Sequence, residues 1–440
     1  MPAEIHITAF TDRGKQVTVE QAALAPCPIH LENDLINLRP GFPDQTWEGF
    51  GGAITDSAGY VYAQMDESQR RELMESYFQD LNYRLIRIPL DSCDFSLSQF
   101  EAAPGGDLSR FSMDRAGRYI LPMLADAQRA APQPLKLMLS PWSPPAAWKT
   151  NRRRGLGGRL RPERRADWAE YLCRYVEAYC RLGYDVAYLS IQNEPNAVQR
   201  WDSCLMDAPS EREFLAGFLR PALERHGLGH VKVLCWDHNK DRALDRALPA
   251  FAADCPADGV ALHWYSGDHF EDLALLHRLF PEKRLILSEN CLEYCKTDVS
   301  DPAVNAARLA HEIIGDVNAG LHAFFDWNLL LDERGGPNYV GNYCHAPYMY
   351  DTKRRELRAQ SLSDCIHHFS HYILPGSRRI PASRYAHALE VTAFLRPDDS
   401  IAAVVLNPTR RTQLALLRVD DRMVELRLPA RALASVVITR

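Results

Sequence analysis

The chain has 440 residues, 46% of them hydrophobic and 25% charged, with a formal net charge of −6. That length exceeds what a single core usually holds, so one large globular domain with a smaller companion is expected. The slight negative charge argues against a general nucleic-acid binder and against an anionic membrane surface as partner, and no run reaches the roughly 20 apolar residues that span a bilayer.

The chain opens Met1-Pro-Ala-Glu-Ile-His-Ile-Thr, with no basic patch followed by an apolar run, so no signal peptide is expected and the reading is cytoplasmic. Residues 1–45 hold short alternating pieces at 5–8, 16–19 and 35–38, expected to be strands of an open sheet. Trp47-Glu-Gly-Phe-Gly-Gly-Ala-Ile-Thr-Asp follows. Its glycines allow close backbone packing, and Thr55 or Asp56 can cap the next helix. No Gly-Lys-Ser/Thr comes after it, so it is not a phosphate loop.

From here apolar strands alternate with helix-length segments of 3.6-residue periodicity. Strands are expected near 50–55, 83–90, 135–140, 186–191, 231–238, 260–265, 285–290 and 323–329, with helices at 67–81, 164–182, 210–226 and 302–319 among them. Eight such units in series predict a (β/α)8 TIM barrel over residues 46–374, with a doubly wound open sheet as the alternative. After residue 375 the pattern changes to period two, with strands expected at 387–395, 400–407, 413–419, 424–428 and 434–439. These predict an antiparallel β-sandwich over residues 375–440, completed by the strands of residues 1–45.

The strand ends carry side chains that packing does not require. Arg87, Trp142, Asn193 with Glu194, Trp236 with His238, His263 with Tyr265, Glu289, and Asp326 with Trp327 and Asn328 all fall there, and Asp94 lies shortly beyond one. In a closed barrel these ends converge on one pocket. Asn193-Glu194-Pro195 alone is an ordinary polar turn; its weight comes from Glu289, the second glutamate at such an edge. Two carboxylates across a Trp- and Tyr-rich pocket suit glycoside hydrolysis, one giving a proton and the other staying ionised, with each pushing the other's pKa apart. The chain is 10% aromatic, enough to supply flat faces for sugar rings.

Several segments together resemble glycoside hydrolase family 30, within it the glucosylceramidase (acid β-glucosidase) branch. They are Gly49-Phe-Gly-Gly-Ala-Ile-Thr-Asp, Ile86-Arg-Ile-Pro-Leu-Asp-Ser-Cys-Asp-Phe-Ser, Ser140-Pro-Trp-Ser-Pro-Pro-Ala-Ala-Trp-Lys-Thr-Asn, Asn193-Glu-Pro, His263-Trp-Tyr, Ser288-Glu, Asp326-Trp-Asn-Leu and Gly335-Gly-Pro-Asn. The resemblance runs from about Gly49 to the C-terminus. It implies a retaining β-glucosidase, with Glu194 as acid/base and Glu289 as nucleophile, their carboxyls about 5 Å apart. It implies Asn193 on the sugar 2-hydroxyl, and Trp142, Trp327, Asn342 and Asp107 as sugar-binding positions. Arg87, His263 and Tyr265 would cage the nucleophile, and Asp326 would orient rather than touch the ligand. The implied partner is a β-glucoside, oligosaccharide or glycolipid. No cofactor is called for, because the two carboxyls supply both proton and nucleophile.

The alternatives are the same chemistry on another sugar, as in a β-xylosidase, β-fucosidase or β-1,6-glucanase, or a carbohydrate-binding barrel without catalysis. The 11 cysteines, an odd number, suit buried thiols in a reducing compartment, and Cys291 with Cys295 lacks the company of a zinc set. His367, His368 and His371 have metal-like spacing but fall on the expected last barrel helix, where a packed or solvated face is the plainer reading. Arg152 to Arg154 with Arg159, Arg161, Arg164 and Arg165 are expected to form a solvated rim, and Trp148 either stacks on sugar or packs that loop.

Overall fold

Eight parallel strands close into a barrel in a computed structural model that describes residues 1–11, 14–31, 35–251, 255–385 and 387–440. They are β1 Gly49–Ala53, β2 Leu85–Leu90, β3 Lys136–Pro141, β4 Asp185–Ser190, β5 Lys232–Asn239, β6 Gly259–His263, β7 Arg284–Glu289 and β8 Ala323–Asn328. Neighbours pair in chain order, and β8 returns to β1 through Ala323 opposite Gly49, so the open doubly wound sheet is set aside. Side chains alternate across each strand. Leu85, Met138, Tyr188, Leu234, Ala261, Ile286, Ala323 and Phe325 fill the interior as one cluster, which makes the barrel a packed core with its site at one end. β1 can close the ring because three of its five residues are glycine: a Cβ on Gly51 would lie 2.1 Å from the carbonyl oxygen of Leu85.

Helices cover the outside. Helix Asp114–Ala130 buries Ala116, Ile120, Met123, Leu124 and Ala127, one stripe of a 3.6-residue period. Helix Pro302–Asn318 starts with Pro302 in its first turn and with the Asp301 carboxylate accepting from Ala303 N–H at 3.0 Å. Thr55, not Asp56, caps helix Asp56–Ala63.

The sandwich takes strands from both ends of the chain. One sheet has six strands, with Pro2–Thr11 antiparallel to Ala432–Ile438 and Ala3 opposite Ile438. The second has five, and here the expected antiparallel order is corrected: Leu35–Leu38 runs parallel to Gln413–Val419, so that sheet is mixed. Leu35–Leu38 reaches this slot from the other end of the chain, and no tight hairpin dictates its direction. Barrel helix Ser361–Ser370 lies against the sandwich, where His368 Nδ1 is 2.8 Å from Ser435 Oγ and His6 Nδ1 is 2.6 Å from the Tyr372 hydroxyl. His367 and His371 stack with ring centres 4.7 Å apart. These histidines are packed at a seam, and among the described residues no group of three or more side chains is gathered to hold a metal. Among the described residues no disulfide joins the cysteines.

The C-terminal face of the barrel carries devices that periodicity did not announce. Leu292–Glu293 pairs with Cys344–His345, tying the loop after β7 to the segment bearing Asn342. The basic rim is corrected in part. Arg154 is buried, with its Nε 2.8 Å from Asp202 and Nη1 3.3 Å from Asp91, because two buried carboxylates draw its charge inward. Lys149 is buried beside it and donates to Ser143 Oγ at 3.0 Å and Arg154 O at 2.8 Å. Trp148, 2% exposed, packs edge-on against Tyr171, which settles its role as packing. Among the described residues no helix is long and apolar enough to cross a membrane.

Candidate active site

A cavity of about 440 Å³ opens at the C-terminal ends of the strands, and both Glu194 and Glu289 line it. Glu289 is the last residue of β7. Glu194 lies in the turn after β4 in a left-handed conformation, φ 47°. That turn is stitched on both sides: Asn193 N–H donates to Pro141 O at 2.8 Å and Glu194 N–H donates to Asp237 O at 2.9 Å.

Arg87 is the hub beneath the cavity. It is fully buried in β2. Its Nη1 donates to Glu289 Oε2 at 2.5 Å, and its Nη2 donates to Asn193 Oδ1 at 2.8 Å and Asp237 Oδ2 at 3.0 Å. Burial pulls its pKa down, but Asp237 and Glu289 overcome that and raise it. The guanidinium also lies over the rings of Trp142 and Trp327, at 4.9 and 5.2 Å. Those two indoles stack at 5.3 Å with 19° between planes and make one wall of the cavity. Flat, partly polar aromatic surface of this kind suits a sugar face.

His263 stands between carboxylates, with Nε2 3.2 Å from Asp237 and Nδ1 3.5 Å from Glu194. Burial opposes its charge, yet Glu289, Asp237 and Glu194 raise its pKa to about 9. His238 lines the cavity 3.9 Å from Glu194, and burial lowers it to about 4. Tyr265 donates its hydroxyl to Glu289 Oε1 at 3.0 Å. Of the two glutamates, Glu289 is pushed up by burial and by the charge of Glu194, against His263 and Arg87. Burial also pushes Glu194 up, but the hydrogen bond from His263 and the charges of His238 and His263 bring it down on balance.

Of the sugar-binding positions expected from the sequence, Trp142, Asn193, Trp327 and Asn342 all line the cavity. Asp107 does not. It is exposed, caps the short turn Leu108–Arg110 and accepts from Ser109 N–H at 3.0 Å. Its loop runs outward to helix Arg165–Arg181, where Arg174 holds Leu108 O. The aspartate in the cavity is Asp94, which accepts from Asn342 Nδ2 at 3.0 Å. Burial and then the charge of Glu289 raise the Asp94 carboxyl well above the usual range. Asp326 lies below the cavity, bonded by the Tyr83 hydroxyl and 3.4 Å from Asn290 Nδ2, and burial lifts it to about 7.

Sequence reading passed over Asp237 while naming Trp236 and His238 on either side of it. Alternation would send Asp237 outward. Instead Trp236 and Asp237 both take left-handed φ, 71° and 44°, where the β5–β6 register shifts, and Asp237 turns into the barrel. Its fully buried carboxylate bonds Arg87 at 3.0 Å and accepts from Ser288 Oγ at 2.6 Å. Burial would raise it, but Arg87 and His263 hold it far below the ordinary range. A charged residue inside an apolar strand was the one available signal.

Two carboxylates across an aromatic-walled cavity at the catalytic edge of a parallel barrel define a glycoside hydrolase. The chain belongs to glycosyl hydrolase family 30: the family's TIM-barrel domain matches residues 47–373 and its β-sandwich domain residues 376–436. It is therefore a retaining glycosidase. Lysosomal acid glucosylceramidase of Mus musculus is 31% identical over 398 residues, covering 85% of this chain and 77% of that one. An endo-1,6-β-D-glucanase of Neurospora crassa is 26% identical over 317 residues, covering 69% and 64%. Among solved structures, SrfJ from Salmonella typhimurium superposes with a TM-score of 0.95 at 35% identity, with 100% of each chain covered. An endo-β1,6-glucanase superposes with a TM-score of 0.89 at 25% identity, again over 100% of each chain.

Proposed function

We propose that the protein hydrolyses β-glucosides by double displacement, with Glu289 as nucleophile and Glu194 as acid/base. One observation carries the reading: the two glutamates line one cavity, one just past barrel strand four and one at the end of strand seven, with Arg87 and Tyr265 both donating to Glu289. Glu289 attacks the anomeric carbon while Glu194 passes its proton to the departing glycosidic oxygen. Glu194 then takes a proton from the water that attacks the glycosyl ester, which frees the sugar with its configuration retained.

The roles require the proton on Glu194 and the charge on Glu289, against the resting bias described above. Two such carboxyls titrate as a pair, so the contacts decide which one is ionised. A guanidinium at 2.5 Å and a phenol at 3.0 Å hold the charge on Glu289, whereas the His263 Nδ1 that faces Glu194 is 3.5 Å away. We therefore assign the shared proton to Glu194.

Asp94 with Asn342 would bind hydroxyls on the far side of the ring, the part the sequence reading gave to Asp107. Asn193, held by Arg87, would bind the 2-hydroxyl. Likeness to the glucosylceramidase relatives supports a glucoside with a lipid aglycone. Likeness to the endo-1,6-glucanases supports a second reading, a β-1,6-linked glucan. Unbridged cysteines support action in a reducing compartment.

A panel of an aryl β-glucoside, an aryl β-xyloside, an aryl β-fucoside, glucosylceramide with and without detergent, and a β-1,6-glucan tests this. Release of glucose from the aryl glucoside and the lipid supports the first reading. Cleavage of the glucan alone supports the second. No turnover of any β-glycoside would leave only a sugar-binding barrel.

A further inference from the structure

The strained turn at Trp236 and Asp237 is held from outside the cavity by a buried ion pair that touches no cavity residue's carboxylate. Glu211, in helix Ala208–Phe214, accepts the Trp236 backbone N–H on Oε1 at 2.7 Å. On Oε2 it accepts Arg246 Nη2, also at 2.7 Å, from helix Ala243–Ala250. Both side chains are buried, at 2% and 6% exposure. Arg246 lies over the Trp236 ring at 4.6 Å. It also donates to Met206 O at 2.9 Å and to Asn196 Oδ1 at 3.3 Å.

These partners surround Glu194. Asn196 is two residues after it, and Met206 N–H donates to Pro195 O at 2.9 Å. On the other side, the Asp237 carbonyl that follows Trp236 accepts the Glu194 N–H at 2.9 Å. Three consecutive supports of the acid/base loop thus converge on one guanidinium–carboxylate pair. Three non-glycine residues in left-handed conformation, Trp236, Asp237 and Glu194, persist only where the surroundings over-determine them. The pair supplies that constraint, since a buried bonded ion pair is rigid and directional.

We propose that Glu211 and Arg246 are positioning residues for the acid/base: they lock the Trp236–Asp237 turn and the 195–206 loop so that the Glu194 carboxyl meets the glycosidic oxygen. This rests on the assignment of Glu194 as acid. A misplaced acid slows only departures that need a proton, and kcat/KM reports the first, bond-breaking half of the reaction.

The test compares phenyl β-glucoside, a poor leaving group, with 2,4-dinitrophenyl β-glucoside, which leaves unprotonated. For Arg246→Met and Glu211→Gln, kcat/KM on the phenyl glucoside should fall about 100-fold, and on the dinitrophenyl glucoside less than about 5-fold. Arg246→Lys should recover part of the phenyl activity. Asn196→Ala, at an exposed position, should lose about 3-fold on the phenyl substrate alone. Equal losses on both substrates, in the buried variants or in Asn196→Ala should they fail to fold, would overturn the proposal. Glu194→Gln is the reference. If it too loses both substrates equally, the acid assignment itself is wrong. If it is selective and the others are not, only the positioning role falls.

Discussion

A single buried guanidinium, that of Arg87, reaches Glu289 at 2.5 Å with one nitrogen and Asn193, the neighbour of Glu194, at 2.8 Å with the other. Arg87→Met would take the guanidinium from two buried carboxylates, leaving Asp237 to His263 and Ser288 and Glu289 to Tyr265. Losing one partner of a buried pair costs about 3–5 kcal/mol, so urea unfolding should show a loss of that order together with loss of turnover. Arg87→Lys should not recover activity, because an ammonium cannot span both directions.

The two glutamates should be separable by azide. Glu194→Ala is expected to lose about 100- to 10,000-fold in kcat on phenyl β-glucoside, and azide should restore turnover of an activated substrate with a β-glucosyl azide as product. Glu289→Ala with azide should give the α-azide. Proton NMR of the anomeric centre reads the outcome, and exchanged anomers would exchange the roles.

Asp94 and Asp107 make a matched pair. Asp94→Asn should raise KM and lower kcat by about 10-fold or more, because a cavity-lining group proposed to hold the sugar is altered. Asp107→Asn, at an exposed turn, should leave both constants within about 2-fold. Steady-state kinetics on one aryl glucoside decides between them.

His263 gives a pH dependence with a definite sign. Its pKa is about 9 in the folded chain against an ordinary 6.5, so the folded state holds a proton that the unfolded state releases between those values. The stabilisation is complete below pH 6.5 and is lost as pH rises through about 9; it amounts to about 3 kcal/mol at most. Urea unfolding at pH 6 and pH 9.5 should show the decline, and His263→Gln should flatten it. A wild-type stability that rises over this range would contradict the arrangement of His263 between Asp237 and Glu194.

The barrel was legible because each strand is a short apolar run and each helix a 3.6-residue pattern, two signals written locally in the chain. All eight barrel strands lie within a few residues of where they were expected. The cavity was legible for a related reason: side chains such as Trp142, Glu289 and Trp327 stand where a packing account has no use for them. What escaped was whatever depends on three dimensions. Asp94 and Asp107 both follow β2 at loop distance, and nothing local says that one loop bends in while the other runs out. Asp237 was hidden by a register shift against a strand distant in the chain. Arg154 looked like part of a solvated run until Asp91 and Asp202 were brought beside it.

The pairing of Ala3 with Ile438 sets an order on the making of the protein. During synthesis every barrel strand has emerged before the partner of the first hairpin exists. Until then Ile5 and Ile7 sit on a ribbon with an unmatched edge, open to pairing with another chain. A nascent polypeptide stalled after helix Ser361–Ser370 would therefore hold the whole barrel beside an adhesive ribbon, and synthesis of Ala432–Ile438 is what removes the hazard.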